Sequence, residues 1–289
     1  MEKKRDVVKI LAGFPTRDGA GVKLRRMIGH EDTEAFDPFL MLDLFRSTDP
    51  KDYMSGFPWH PHRGIETVTF MVAGSVTHGD SLGHSGTISG GDVQWMTAGS
   101  GIVHQEMPLQ RPENWGLQLW VNLPASRKMS APRYQDVPAE RIPTVSEPGC
   151  RIRVIAGERG GATGPVVGIE AAPEFLDVTL DPGAACEVPV DAESTCFVVT
   201  VAGSLIVATV EGSTADGSTE EVPTERVLLY GTGEGVALLA GKEGARVLLV
   251  SGRPLHEPVA WGGPIVMNTK AELNKAFKEL EDGTFLKHA

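Results

Sequence analysis

Glycine and proline interrupt this chain every few residues, and this spacing restricts it to short elements. The sequence holds 34 Gly and 20 Pro in 289 residues. The segments between them are rich in Val, Ile, Thr, Phe and Trp, and they either alternate between polar and apolar residues or are apolar throughout. That pattern is typical of many short strands joined by tight turns, and it predicts an all-β sandwich or barrel. The clearest predicted strands are 66–72, 116–123, 176–180, 195–201, 227–230, 236–239 and 246–250.

One segment near the C terminus has the period of a helix instead. Apolar side chains recur at i, i+3, i+4 and i+7 across residues 270–282, which places them on one stripe of a helix. Thr269 and Glu272 have the spacing of a capping box, and Gly283 stands where a helix commonly ends. We therefore predict a C-terminal helix over 270–282 that packs on the β body.

A change of composition divides the chain almost in half. Residues 125–150 are rich in proline and mixed charges without a sustained period, which is typical of an ordered but irregular crossover. The segment VAGSV at 72–76 recurs as VAGSL at 201–205, and each copy follows an apolar strand. We predict two similar β-barrels, residues 1–124 and 151–289, joined by this crossover.

The overall charge argues against anionic partners. The 38 acidic and 27 basic side chains leave a formal net charge of −11, which repels both a nucleic-acid backbone and an anionic membrane surface. Cys150, Cys186 and Cys196 are odd in number and lack a C-x-x-C spacing, so they supply neither a disulfide framework nor a thiolate zinc site. Without a signal-peptide pattern or a run of ~20 apolar residues, we expect a soluble, cytoplasmic protein that binds neither nucleic acid directly nor a membrane.

Histidines and carboxylates are concentrated in two short stretches of the first half. Because alternate side chains of a strand point to the same face, His60, His62 and Glu66 are expected to face one spot, and His104 shares a face with Glu106. If the two strands adjoin in one barrel, these side chains converge on a common interior. Imidazole and carboxylate without sulfur form a ligand set for Fe(II), Mn(II), Ni(II), Cu(II) or Zn(II), and a partly open site leaves room for a substrate oxygen or O2. The sequence therefore predicts a mononuclear metal site in the first barrel.

The spacing H-x-H-x3-E, followed after a glycine-rich stretch by G-x-x-H, resembles the two motifs of the cupin superfamily and of its pirin branch in particular. The likeness extends over about residues 13–268. It is carried by DPFLMLD at 37–43, HPHRGIETVT at 60–69, GDVQWMTAGSGIVHQEMP at 91–108, GLQLWVNLP at 116–124 and GRPLHEPVAW at 252–261. The resemblance implies a bicupin, that is, two double-stranded β-helix barrels in tandem, of which the first holds a single metal ion and the second has lost its site.

The internal repeat shows which residues of the second half correspond to the predicted metal ligands. The two copies of the repeat are 129 residues apart, because they begin at Val72 and Val201. The same offset carries positions 60, 62 and 66 to Pro189, Asp191 and Thr195, none of which is a histidine. We therefore expect one metal ion per chain, bound by the first half.

The resemblance leaves two candidates for the carboxylate ligand. The general cupin pattern assigns Glu66, whereas the pirin pattern assigns three histidines and the glutamate two residues beyond the last of them, which is Glu106. Because the pirin likeness is the closer one, we predict that His60, His62, His104 and Glu106 bind the metal. Glu66 is then expected nearby, beside the ligands or on the substrate side.

Two functions from different classes follow from the resemblance. Pirins are associated with quercetin 2,3-dioxygenase chemistry, in which a flavonol is opened by O2 to a depside with loss of carbon monoxide. In that case Fe(II), or alternatively Mn, Ni, Cu, Co or Zn, would be held at the site, and Glu106 would also be the base that takes the hydroxyl proton of a phenolic substrate. The alternative is a metal-dependent, redox-sensing regulator that binds a transcription factor or metabolic enzyme without turnover. The net negative charge of this chain would then favour a basic patch on the partner protein. A zinc-filled barrel with neither activity is the third interpretation.

Overall fold

Antiparallel strands make up most of the structure, a computed structural model that describes residues 3–171, 173–208 and 219–288. The first twelve strands are β1 (Val7–Leu11), β2 (Phe14–Asp18), β3 (Val22–Ile28), β4 (Phe39–Ser47), β5 (Phe57–His62), β6 (Ile65–Ala73), β7 (Ser75–Asp80), β8 (Ser85–Ser89), β9 (Val93–Thr97), β10 (Ile102–Pro108), β11 (Asn114–Asn122) and β12 (Arg133–Val137). The others are β13 (Thr144–Glu147), β14 (Cys150–Ala156), β15 (Glu158–Arg159), β16 (Ala162–Thr163), β17 (Glu174–Leu180), β18 (Ala185–Pro189), β19 (Thr195–Ala208), β20 (Thr219–Val222), β21 (Val227–Tyr230), β22 (Gly235–Gly252), β23 (Ala260–Gly262) and β24 (Ile265–Met267). Short 3₁₀ turns occur at His30–Asp32, Pro50–Asp52, Ala125–Arg127 and Ala139–Arg141.

The only helix of more than one turn among the described residues is α1 (Lys270–Glu281). The Thr269 hydroxyl accepts from the Glu272 backbone N–H and the Glu272 carboxylate accepts from the Thr269 backbone N–H, which is the capping box predicted from the sequence. Ala276 lies on the buried side of the helix and packs with Ile265 of β24 and with Phe285. The predicted all-β class with one C-terminal helix is confirmed. No helix in the described part of the chain is long and apolar enough to span a membrane.

The chain forms two compact units, each assembled from two segments. One consists of Met1–Gly13 and Glu140–Pro254, and the other of Phe14–Ala139 and Leu255–Ala289. These units differ from the contiguous barrels 1–124 and 151–289 expected from the sequence. The reason is pairing across long sequence separations: β1 pairs with β21, and Arg63 forms a bridge with Ile265 of β24 and an ion pair with Glu279 of α1. Residues 125–150 are also more regular than expected, because they include β12 and β13.

The unit that contains the predicted metal ligands is built from two principal sheets. A seven-stranded sheet has the order β12-β9-β6-β11-β4-β3-β2, and a four-stranded sheet has the order β5-β10-β7-β8. Because side chains alternate along each strand, every second residue of β5 and β10 faces the same side. Leu40, Met41, Ile65, Met96 and Trp120 belong to one apolar cluster of this unit. The four-stranded sheet thus carries the histidines, and the seven-stranded sheet supplies much of the surrounding wall.

The other unit has one nine-stranded sheet whose central path is β1-β21-β19-β22-β17-β14-β13, with β18 paired to β22 and β20 to β19. Its core consists of Val, Leu, Ile, Ala, Cys and Tyr side chains that are almost fully buried. The positions equivalent to the metal ligands have other partners here: the Asp191 carboxylate pairs with Arg253 at 2.8 Å, Pro189 ends β18, and Thr195 begins β19. Aliphatic packing therefore stabilises this unit.

Candidate metal centre

Three histidines meet on two adjacent strands of the four-stranded sheet. His60 and His62 lie on β5, His104 lies on β10, and the antiparallel register sets His104 opposite His60. Their ring centroids are 4.4 to 5.0 Å apart. Each offers a ring nitrogen, and these atoms all lie within 4.8 Å of one another. The structure therefore brings together the three histidines that the sequence singled out.

Each imidazole uses its Nδ1 for a contact with the protein, which leaves its Nε2 for another partner. The three Nδ1 atoms of His60, His62 and His104 contact the Pro58 carbonyl oxygen at 2.8 Å, the Pro264 carbonyl oxygen at 3.1 Å and the Tyr134 hydroxyl at 3.2 Å, respectively. Since a carbonyl oxygen only accepts, His60 and His62 carry their protons on Nδ1 when neutral. Their Nε2 atoms then present lone pairs, as in metal-binding histidines whose other nitrogen is held by the protein.

The Nε2 atoms converge in a way that fits a bound cation. The Nε2 atoms of His60 and His62 are 3.0 Å apart, although neither can donate when Nδ1 carries the proton. Two imidazole nitrogens bound to one ion at ~2.1 Å would be about 3 Å apart when they subtend a right angle. The Nε2 atom of His104 is buried and has no hydrogen-bond partner. Such an orphaned ring nitrogen beside two facing lone pairs is the donor set expected of a metal site.

Burial keeps the imidazoles of His62 and His104 neutral. His62 is 1% exposed and His104 is 0% exposed. Burial, with a smaller contribution from the neighbouring His60, lowers the pKa of His62 to about 3, although the Pro264 carbonyl raises it. Burial and the nearby His62 and His60 likewise lower the pKa of His104 well below its usual value. Neutral imidazole is the ligand form of histidine, so the cluster is ready to bind a cation near neutral pH.

The Glu106 carboxylate has different contacts from the histidines. It lies on β10 two residues beyond His104 and is 4% exposed. One carboxylate oxygen accepts from the Thr69 hydroxyl at 2.9 Å and the other from the Gln118 amide at 2.7 Å, both on the seven-stranded sheet. Among the described residues, the group of ligand atoms within 4.8 Å of one another consists of the three imidazoles and does not include Glu106.

An irregularity in β5 accounts for part of this separation. His104 is opposite His60, whereas Glu106 is opposite Phe57, so β5 has two residues where β10 has one. Bulges of this kind re-aim side chains next to functional sites. One of these two β5 residues is Pro58, which lacks an N–H for the ladder and whose carbonyl contacts His60.

Glu66 lies on the face of β6 that is turned away from the three histidines. The expectation that it shares a face with His60 and His62 is wrong, because β5 ends at His62 and β6 begins at Ile65 in another sheet, after Gly64 with a φ of +78°. Its neighbour Thr67 is opposite Trp120, which packs edge-on against His62 at 5.1 Å. Glu66 therefore points away from the histidines, and its carboxylate accepts from the Thr97 hydroxyl at 2.7 Å.

A cavity of about 590 Å³ opens beside His60 and His62. Its wall includes the aromatic side chains of Phe57, Trp59, Trp120 and Trp261 and the imidazole of His30. The His30 and Trp261 rings stack at 4.2 Å, and Trp120 packs against Trp261 at 5.7 Å. Trp59, which precedes His60 in the sequence, is 54% exposed. The cavity is thus suited to a flat aromatic molecule that reaches the histidines.

An ion pair forms the polar part of the same wall. The Arg26 guanidinium donates to both oxygens of Asp43, at 2.9 and 2.7 Å, and to Asp18 at 2.8 Å. Burial raises the pKa of Asp43, and its bonds to Arg26 oppose that rise. The bonds to Asp43 raise the pKa of Arg26, so the guanidinium stays charged. This part of the wall therefore carries one guanidinium together with the two carboxylates that bind it.

Sequence reasoning missed the residues that hold the ligands. Tyr134 lies on β12, within the proline-rich segment, and Pro264 lies near the C terminus. The alternation of Arg133–Val137 is a weak strand signal, and nothing local identifies the Pro264 carbonyl. Burial, with smaller contributions from Glu106, Asp80 and Asp136, raises the pKa of Tyr134, so its phenol stays protonated.

Comparison with known proteins agrees with the architecture. The family model described as Pirin matches residues 21–121, and that described as Pirin C-terminal cupin domain matches residues 175–286. A pirin-like protein of Caulobacter vibrioides is 43% identical over 97% of this chain and 99% of its own, and human pirin is 38% identical over 92% and 88%. The crystal structure of a quercetin 2,3-dioxygenase from Acinetobacter baumannii superposes with a TM-score of 0.85 at 33% identity, covering 98% of this chain and 99% of that one. The predicted pair of cupin domains is confirmed.

Proposed function

Because the chain belongs to the pirin family, we propose that it is a mononuclear metal dioxygenase that opens a phenolic substrate of the quercetin type with O2. His60, His62 and His104 bind the ion, and Glu106 completes the ligand set and acts as the base. The observation that carries the proposal is the convergence of three imidazoles, two of which line a cavity that also contains Trp59, Trp120 and Trp261. The similarity to a quercetin 2,3-dioxygenase supports this choice of reaction.

The chemistry of the site depends on both the ion and the wall around it. A divalent ion such as Fe(II), or alternatively Mn, Ni, Cu, Co or Zn, supplies Lewis acidity, and the redox-active members of this series also supply one-electron chemistry toward O2. The protein orients the substrate. Trp120 and Trp261 provide faces on which a phenolic ring stacks, and their bulk excludes water from the side of the cavity next to His62.

Glu106 is suited to take a proton from the substrate hydroxyl. Its two bonds come from Thr69 and Gln118, which are neutral donors, and within the described part of the chain no basic side chain pairs with it. No guanidinium or ammonium group therefore competes with a substrate hydroxyl or a bound cation for its oxygen atoms. Its position on β10, two residues beyond His104, supports this proposal.

Metal titration followed by a turnover assay tests the proposal. Metal-free protein titrated with Fe(II) without air should bind about one equivalent, and the double variant His60→Ala/His104→Ala should bind none. His84→Ala is the matched control, because His84 is an exposed histidine paired with Asp80, and it should bind normally. Normal binding by the double variant would refute the ligand assignment.

With metal bound and air admitted, quercetin should disappear with uptake of O2 and release of carbon monoxide. Glu106→Gln keeps the shape of the side chain but removes the base, so the rate should fall by about 10²–10⁴-fold. Failure to consume quercetin or a related flavonol with any divalent metal would refute the dioxygenase while leaving the metal site standing.

A further inference from the structure

Tyr134 is the one side chain among the Nδ1 partners of the three histidines. His60 and His62 donate to backbone carbonyl oxygens, whereas His104 Nδ1 lies 3.2 Å from the Tyr134 hydroxyl. A carbonyl fixes the tautomer of its histidine because it can only accept, but a hydroxyl can accept or donate. The tautomer of His104 therefore depends on a side chain, which makes this contact accessible to mutation.

The surroundings of Tyr134 fix the position of its hydroxyl. Tyr134 lies on the edge strand β12, where it is opposite Met96 of β9. Its ring stacks on His78 at 5.7 Å with an interplanar angle of 9°. Asp136, on the same face of β12, accepts from His78 at 3.0 Å and from Gln94 at 3.0 Å. The Tyr134 ring is thus packed between β12 and His78 of the four-stranded sheet.

The buried Nε2 of His104 shows what the hydroxyl must do when metal binds. For Nε2 to bind an ion, the ring proton must be on Nδ1, and a buried Nδ1–H needs an acceptor. The Tyr134 oxygen is the acceptor within reach. Without it, an ion at Nε2 would leave a buried N–H unpaired, or the proton would favour Nε2 and block the ligand.

We propose that Tyr134 is a positioning residue of the metal centre, which accepts the Nδ1–H of His104 and so holds its Nε2 as the ligand atom. This inference rests on the proposed three-histidine site but not on any particular substrate or reaction. It assigns a role at the centre to the proline-rich segment 125–150. The partner of a ligating histidine typically changes metal affinity by 10–100-fold.

The experiment compares Tyr134→Phe with Tyr230→Phe, with Co²⁺ alone as the probe. Tyr230→Phe is the matched control because it also removes a buried tyrosine hydroxyl, but from the other unit. The dissociation constant is measured on metal-free protein by competition with a chelating dye. We expect a 10–100-fold increase for Tyr134→Phe and less than a twofold change for Tyr230→Phe.

Visible absorption at saturating Co²⁺ provides a second readout. Only loaded protein contributes to these bands, so a loss of stability alone does not shift them, whereas a changed His104 ligand does. An unchanged dissociation constant and spectrum for Tyr134→Phe, or equal weakening by Tyr230→Phe, would overturn the role of Tyr134 alone. Wild-type protein that binds no Co²⁺ would overturn the metal centre and this inference with it.

Discussion

Pro58 and Pro264 each offer a carbonyl oxygen to a histidine Nδ1, and this backbone contact determines how His60 and His62 face the centre. Such contacts cannot be removed by substitution of the partner side chain, so two of the three ligands are oriented by the fold itself. His104 differs because its partner is Tyr134. Metal affinity should therefore be most sensitive to side-chain changes around His104.

Lys128 holds together the turn that follows His62. It is 2% exposed, and its ammonium donates to the Gly64 carbonyl at 2.8 Å, the Asn122 amide oxygen at 2.6 Å and the Val266 carbonyl at 3.0 Å. Lys128→Met keeps the aliphatic stem but leaves three buried oxygens without this donor. Each such loss costs about 1–3 kcal/mol, so urea unfolding should show a loss of at least about 3 kcal/mol.

Lys278→Met is the control for this prediction. Lys278 is exposed and forms an i,i+4 pair with Asp282, which is worth at most about 0.5 kcal/mol. Equal effects of the two substitutions would contradict the structural role of Lys128.

The residue types at the site were predictable, whereas their partners were not. His60, His62 and His104 stand out because a shared face requires only the period of a strand. The Pro264 carbonyl is 202 residues from His62, and backbone oxygens leave no mark in a sequence. Glu66 was placed on the wrong face because the period was carried through Gly64, where the chain turns.

The turn between β5 and β6 carries the chain from the four-stranded sheet to the seven-stranded sheet, directly after His62. Gly64 has a φ of +78°, and a Cβ on it would lie 1.9 Å from the Val266 carbonyl oxygen. Gly64→Ala combines left-handed strain of about 1–2 kcal/mol with a steric clash of about 1–3 kcal/mol. We expect a loss of about 2–5 kcal/mol in urea unfolding and weaker metal binding, because the turn directly follows His62.

Gly183→Ala separates the effect of backbone strain from that of the steric clash. Gly183, in the other unit, has a φ of +67°, but nothing lies within 4 Å of its Cβ position. It should cost about 1–2 kcal/mol and leave metal affinity near the wild-type value. Similar losses for both substitutions would mean that the contact with Val266 is unimportant.

Regular elements were predicted better than the segments that join them. The helix 270–282 was found because Thr269 and Glu272 cap it locally, and the structure has it at Lys270–Glu281. β12 was missed, because five residues among prolines and charges carry little periodic signal. Its pairing with β9 is long-range information that a local pattern does not contain.

For the molecule as a whole, the carboxylate of Glu174 makes the free energy of unfolding depend on pH. Glu174 of the unit without the histidines is partly buried, and this burial raises its pKa to about 7, although Arg159 opposes the rise. The folded chain therefore binds an extra proton between the unfolded pKa of 4.5 and about 7, so this group lowers the free energy of unfolding as pH rises through that window. The cost approaches about 3 kcal/mol above pH 7.

Glu174→Gln removes this pH dependence. In urea unfolding, the variant should be more stable than wild type by about 3 kcal/mol at pH 8 and by less than about 1 kcal/mol at pH 5. Glu193→Gln, at an exposed position, should show no such difference. A gap for Glu174→Gln that stays constant with pH would contradict burial of the carboxylate as the cause.

The division into units places the C-terminal segment with the histidines. Besides Pro264, this segment supplies Glu279 and the Phe285 carbonyl, both of which accept from the buried Arg63 next to His62. During translation, all three histidines therefore leave the ribosome long before Pro264, whose carbonyl orients His62. A fragment that ends before residue 264 would retain the three histidines without this contact, so we expect it to bind a divalent metal ion more weakly than the longer chain.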